Sequence, residues 1–441
     1  MLTKPTILSV LSMVMCLAEM SGQGVLAPTL ISATNAFPEG GAPNMFCTRG
    51  DAYFNFSAAP TGSTTRTAWR TAGTTASTQS ISNVPMGVSG DLIGIPGMLY
   101  FSQVVSKGHC KLYASNGAPN SEQLVPTELS LPQLNVGSAL GATYIFSVGG
   151  RVLYCTNRAS ALVELKRFTS IGSSFAAFSG KVFFAAATGA GDMELWSTDG
   201  TPAGTVLFKD ILPGTATSDP QDLQVVGNRL YFTAVSSTGG NRELWSSSGL
   251  AFNTMKVKEI GKMKGRFVPL DPSSLAFPQK FYFIVEGGAS DAVWESNGTP
   301  EGTKKLALPL ASVSKMELLP VVDGWVRFLG RDIAGNSHVY KITFYTNSSM
   351  APVAAIEYSL PSGTSGKSVG LCNGKLFYTS STGLITKLWT LAAGGPKEVR
   401  PTNAQISWKL LTSPLHYAVL DNWLYFSGDA SGGGYELYKV Q

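Results

Sequence analysis

The side chains best suited to bond-breaking chemistry in this sequence are its carboxylates, and they are few: 28 Asp and Glu in 441 residues. A glycoside-cleaving site needs two of them facing one pocket. Glu164, Asp192, Glu194, Asp210, Glu243, Asp291 and Glu295 are available. No motif selects a pair, and Glu194 and Glu243 each open the same Glu-Leu-Trp tripeptide, which points to a repeated structural position. His109, His338 and His416 lie far apart and show no HExxH spacing. The cysteines form no closely spaced set, so a zinc site is not expected. P-loop and zincin motifs are absent. The Ser/Thr/Asp-rich stretch 214–222 lacks alternating acidic calcium ligands and reads as a loop. The expectation is therefore no catalytic, cofactor-binding or metal-ligating residue.

Composition narrows the class. Charged residues make up 14%, against a usual ~25%. The net charge of +5 is spread without a Lys/Arg block, which excludes a nucleic-acid footprint. With 44% hydrophobic and 10% aromatic residues, global disorder is excluded, and 48 glycines suit a turn-rich all-β chain better than a helical bundle. At the N-terminus, Lys4 and the apolar run from Ile7 to Ala18 read as a signal peptide (1–18) cut before Glu19. It is followed by a short lead (19–27). The run is shorter than the ~20 residues of a spanning helix, and no later segment resembles one. The expectation is a secreted or cell-surface protein with no membrane span in the mature chain. Cys47, Cys110, Cys155 and Cys372 would remain, and three pairings stay open.

The elements that would position any site come from an internal repeat. One aromatic series is Phe54, Phe101, Phe146, Phe184, Phe232, Phe283, Phe328, Tyr378 and Phe426. A second is Trp69, Tyr113, Tyr154, Trp196, Trp245, Trp294, Tyr340, Trp389 and Tyr438, recurring every 41 to 49 residues. Turns such as Ser179-Gly180, Gly227-Asn228, Asp323-Gly324, Asn373-Gly374 and Asp421-Asn422 precede the first series. They supply the φ > 0 positions of two-residue hairpins. Each unit then holds four antiparallel strands. The last unit lacks its fourth strand, and residues 28–34 can supply it, which removes an exposed edge. The expected fold is all-β: a single β-propeller over 28–441, closed by strand 28–34, with nine four-stranded blades, or eight if one of the irregular units near 88–168 is degenerate.

The segment Glu194-Leu195-Trp196-Ser197-Thr198-Asp199-Gly200-Thr201, continued by PAGTVLFKDI, resembles the ELWxxDGT repeat family of large secreted or surface-associated bacterial proteins, some labelled hyalin-like. Partial copies stand at Glu243-Leu244-Trp245 and at Val293-Trp294 with Asn297-Gly298-Thr299. The resemblance implies a propeller and export, and it brings no catalytic residues. Physically, Asp199-Gly200 and Asn297-Gly298 suit a tight turn between third and fourth strands, with Thr201 and Thr299 capping it. The Trp/Tyr series suits packing between blades.

Two further motifs carry little. Arg49-Gly50-Asp51 places its glycine at a repeat turn, and the sequons at Asn55, Asn297 and Asn347 matter only in a eukaryotic host. The functional expectation is a monomeric, exported, non-enzymatic scaffold binding an unidentified protein or glycan. Contacts would come from the loops 59–66, 105–109, 187–193, 235–242, 286–291 and 428–434 on one face. The alternative is a carbohydrate-active hydrolase or lyase using the central channel.

Overall fold

The computed structural model describes residues 162–271 without a break, and most of 65–157 and 279–399. Elsewhere it describes strands within 25–59 and 409–440. Residues 1–24, Arg49-Gly50-Asp51, the sequon at Asn347 and the turns 373–374 and 421–422 lie outside the described residues.

The unit at 170–209 shows how the sequence becomes a sheet. Lys181–Ala187 is almost continuously apolar because both its faces are covered. It follows Ser170–Phe178 across Ser179-Gly180, whose φ values of +49° and +72° give the turn that matches hairpin twist. Glu194–Thr198 and Val206–Lys209 complete an antiparallel order of four. The described strands group into nine such sheets in chain order. The eighth carries Val25–Leu26 as a parallel fifth strand on Gly395–Val399. The ninth carries Thr29–Leu30 antiparallel on Glu436–Val440, with Thr29 opposite Lys439. Among the described residues there is no α-helix, and no helix long and apolar enough to cross a membrane.

Apolar cores lie between sheets. Val226, Tyr231, Leu244 and Val257 of the fifth sheet pack on Met263, Phe267, Phe281 and Phe283 of the sixth. Phe232, the next residue along from Tyr231, faces the fourth sheet with Phe183 and Leu195. This is the period of two expected of a strand buried on both faces. Each fully buried ring of this kind contributes about 2–3 kcal/mol. Four-stranded sheets stacked face to face in chain order make the architecture a β-propeller. The first strands of successive sheets touch in sequence from Asn44–Thr48 onward, and Tyr417–Leu420 of the ninth touches Asn44–Thr48 again. Seven of these nine inner strands carry a register shift.

The two aromatic series face each other across strands in all nine sheets, with one correction. Trp69 is opposite Phe56, and Phe54 is opposite Thr71. Phe54 and Phe56 stand two residues apart on one strand, and a repeat that varies from 41 to 49 residues tolerates a slip of two. In seven of these pairs the ring centroids lie from 4.9 Å (Phe328–Tyr340) to 6.3 Å (Phe56–Trp69) apart.

Candidate functional site

The expected site residues fall into two structural groups. Trp69, Tyr154, Trp196, Trp245, Tyr340, Trp389 and Tyr438 are buried, and Tyr113 and Trp294 are half-buried. Trp196, for example, sits edge-on to Phe168, which follows the last strand of the preceding sheet, with centroids 5.0 Å apart. Asp199, Gly200, Asn297 and Gly298 form turns between third and fourth strands. Asp199 Oδ1 accepts from the Thr201 N–H (2.9 Å) and hydroxyl (2.7 Å), and Thr201 Oγ1 accepts from the Gly204 N–H (2.9 Å). Gly200 sits at φ +89° and donates to Thr198 Oγ1, which also bonds Thr205 Oγ1 at 2.8 Å. Asn297, Gly298, Thr299 and Gly302 reproduce this network.

Sequence reasoning missed the buried hydroxyl pair behind each turn. It recurs at Thr71/Thr78, Thr198/Thr205, Ser247/Thr254 and Ser296/Thr303, seven residues apart, and as Ser115/Ser121, six apart. A Ser or Thr two residues before the turn glycine is the readable signal.

Most of the carboxylates singled out above hold the sheets together. Glu194 accepts from Ile211 N (2.7 Å), Ser218 N (3.1 Å) and Ser218 Oγ (2.7 Å), and burial pushes its carboxyl up. Glu243 is bound by Ser236, Trp245 and Lys256. Asp291 accepts from Met316 N and Lys264, and Glu295 lies between Lys280 and Lys304. Glu164 is paired with Arg167, and Asp192 closes its own loop on Gly189 N. Cys155 and Cys372 are buried free thiols, and burial raises both. The side chains of Cys47 and Cys110 lie outside the described residues. Asn55 is fully buried, so its sequon is inaccessible. Among the described residues no three His, Cys, Asp or Glu side chains come together as a metal site.

A different set of polar residues meets in a cavity of about 420 Å³ where the fourth, fifth and sixth sheets begin. Gly172, Ser173 and Ser174 line it from one inner strand, Gln221 to Gln224 from the next, and Gly265 and Arg266 from the third. Met193, Asp219 and Pro220 close it. Two acids of the fifth sheet's crossing segment and bulge line this space, Asp219 at φ +46° and Asp222 at φ +57°.

Arg242 joins the two acids. Its Nη1 donates to Asp219 Oδ2 (3.0 Å) and its Nη2 to the Asp219 carbonyl. Its Nε donates to Thr233 Oγ1 (3.1 Å), whose hydroxyl donates to Asp222 Oδ2 (2.8 Å). Burial pushes the Asp222 carboxyl up, and the neighbouring Asp219 adds to that, against the opposing pull of Thr233 and Arg242. The cavity therefore presents one carboxylate paired with a guanidinium and one drawn towards its protonated form. Both lie in 214–222, the stretch set aside as a loop. Two acids around Pro220 in an acid-poor chain were the only signal. Of the expected contact loops, 187–193 reaches the cavity, through Met193.

No family model and no curated protein sequence matches the chain. Among solved structures it is similar to oligopeptidase B from Leishmania major, at 10% identity and TM-score 0.42, over 80% of this chain and 53% of that one. It is also similar to prolyl oligopeptidase B from Galerina marginata, at 8% identity and TM-score 0.40, over 77% and 55%. A third is the β-propeller domain of the Trilobed protease from Pyrococcus furiosus, at 11% identity and TM-score 0.37, over 71% and 98%. The chain spans about half the length of the two oligopeptidases. These similar structures come from peptidases, and the expectation of a non-enzymatic binding scaffold is set aside.

Proposed function

We propose that the cavity is the substrate site of a hydrolase-type protein acting on a polar substrate of the glycoside class. The observation that carries this reading is the unequal pair of carboxylates on one cavity wall. Acid-assisted glycoside cleavage needs one carboxyl that keeps its proton and one that keeps its charge. Asp222, drawn up by burial, suits the first role, and Asp219, paired with Arg242, suits the second. The volume falls within the range of small-ligand sites. Gln221 and Arg266, which line the cavity from two different inner strands, can orient hydroxyl groups.

The scaffold of this reading is a closed ring of nine blades. Its supports are the run of inner-strand contacts that returns to Asn44–Thr48 and the pairing of Thr29–Leu30 with Glu436–Val440. Export and membership of the ELWxxDGT-repeat family belong to the same proposal, supported by the motif at Glu194–Thr201 and the apolar leader. Sequencing the N-terminus of secreted protein tests export, with Glu19 as the expected first residue.

A panel of chromogenic glycosides tests the activity. The expected result is turnover of at least one member, falling about 100-fold or more in Asp222→Asn with an unchanged unfolding midpoint. A folded chain that turns over none of them, or turnover indifferent to both Asp219→Asn and Asp222→Asn, overturns the reading.

A further inference from the structure

A second arrangement, in the seventh sheet, has nucleophile chemistry. His338 lies on Ser337–Thr343, directly opposite Ser359 at the end of Val353–Ser359. Its Nδ1 is 3.0 Å from Ser359 Oγ, and its Nε2 is 3.0 Å from Asp332 Oδ2. A carboxylate only accepts, so Nε2 carries the proton and Nδ1 is left to accept from the Ser359 hydroxyl. The loop after Val326–Arg331 fixes the acid: Asp332 Oδ1 accepts from Asn336 N (2.8 Å), and the Asp332 N–H donates to the Asn336 carbonyl (2.9 Å). The His338 hydrogen bond holds the Asp332 carboxyl below its ordinary range, so it stays ionised. His338 is buried, with its ring edge-on to Tyr340, whereas Ser359 is only half-buried at the strand end.

The surroundings suggest what could be taken. A register shift lies between Val339 and Tyr340, so Ile356 opposes Tyr340 while Ser359 opposes His338. Tyr340 and His338 are two apart and share a face, so Ile356 and Ser359 share one too. Ile356 is 53% exposed, and Ile333, next to Asp332, is 84% exposed. The nucleophile thus stands beside open apolar surface.

We propose that Ser359, His338 and Asp332 form an acyl-transfer site for esters carrying an apolar acyl group. The Ser359 Oγ attacks the ester carbonyl while its proton passes to His338 Nδ1. The carbon–oxygen bond to the alcohol breaks, and the alcohol leaves with that proton. Water then attacks the Ser359 ester, gives its proton to the same nitrogen, and releases the acid as Ser359 regains its hydrogen. Asp332 is a positioning residue that fixes the imidazole tautomer.

The test is covalent labelling of the full chain by an alkyl fluorophosphonate, read by intact mass and peptide mapping. The new Ser359 Oγ–P bond replaces P–F, and the Ser359 proton leaves with fluoride. The expected result is one adduct, at Ser359, absent in Ser359→Ala and formed about 100-fold or more slowly in His338→Gln. Asp222→Asn should label at the wild-type rate, which separates this site from the cavity. Labelling of Ser359 no faster in the native chain than in the urea-unfolded chain overturns the proposal without reliance on any variant. So does a rate that His338→Gln leaves unchanged.

Discussion

Gly204→Ala should cost about as much stability as Asp199→Ala, and the two losses should not add. A Cβ on Gly204 would lie 2.0 Å from Asp199 Oδ1 and 2.2 Å from its Cγ, well inside contact distance. The obstacle is a side chain at the surface, so the least costly response is for Asp199 to swing out. It then loses its bonds from the Thr201 N–H and hydroxyl. At about 0.5–1.5 kcal/mol each, and towards the low end in contact with water, the loss is about 1–2 kcal/mol. Asp199→Ala loses the same two bonds and removes the obstacle, so Gly204→Ala should then be nearly neutral. Urea denaturation of the four chains measures this, and additivity within about 0.5 kcal/mol would refute the reasoning. A pH signature accompanies it. The Thr201 bonds hold the Asp199 carboxyl below its ordinary range. That stability is present above the unfolded value of ~3.9 and is lost as pH falls through the lower native value. Gly204→Ala should flatten that acid limb. Gly302→Ala, whose Cβ would meet Asn297 Oδ1 at 1.8 Å, should lose stability with no such pH term, because Asn297 carries no charge.

Trp389→Ala removes a buried indole that donates to Ser380 Oγ (2.8 Å) between the seventh and eighth sheets, and should cost about 3–5 kcal/mol by chemical denaturation. Burial raises the native Glu194 carboxyl, so the folded chain binds that proton more tightly and stability falls as pH rises from the ordinary carboxylate range to the raised value. Glu194→Gln should remove that slope and, by losing an acceptor shared by Ile211 and Ser218, cost about 1–3 kcal/mol, both read from thermal melts across pH. Deleting residues 25–34 takes away the outermost strands of the eighth and ninth sheets and should lower the unfolding midpoint; an unchanged midpoint would count against ring closure.

The fold was legible because its forces are periodic. Aromatic rings must face a neighbouring sheet at every second strand residue, and a hairpin of matching twist needs positive φ, so both leave marks at fixed spacing. Where two phenylalanines stand two residues apart, as Phe54 and Phe56 do, the sequence could not choose between them, and the strand register did. The sites left weaker marks. Asp219 and Asp222 are made neighbours of Arg242 and Thr233 by a crossing segment and a bulge, neither of which has a fixed sequence sign. His338 meets Ser359 because the register shift between Val339 and Tyr340 sets the two opposite each other, and Asp332 because a short loop folds back. Twenty-one residues separate the histidine from the serine, so no local motif brings them together.

Both sites stand at one end of the strands, and the repeat explains why that end carries the variation. At three crossings the residue just before the third strand makes a backbone hydrogen bond to the segment leading into the next sheet. The Met193 carbonyl accepts from Ser218 N and Asp219 N, and the Arg242 carbonyl accepts from Ile260 N and Gly261 N. The Asp291 N–H donates to the Val313 carbonyl at the equivalent crossing. Because the backbone secures the crossing, the side chain there is released from it. Methionine borders the cavity, arginine reaches back to hold its two acids, and aspartate grips the following inner strand. A propeller of this kind changes its chemistry by substituting on a fixed backbone bond, so Arg242→Met should leave the sheets paired while releasing Asp219 and Asp222 from each other. Amide exchange at Ile260 and Gly261 would remain protected if the backbone carries the crossing, and would be lost if the guanidinium does.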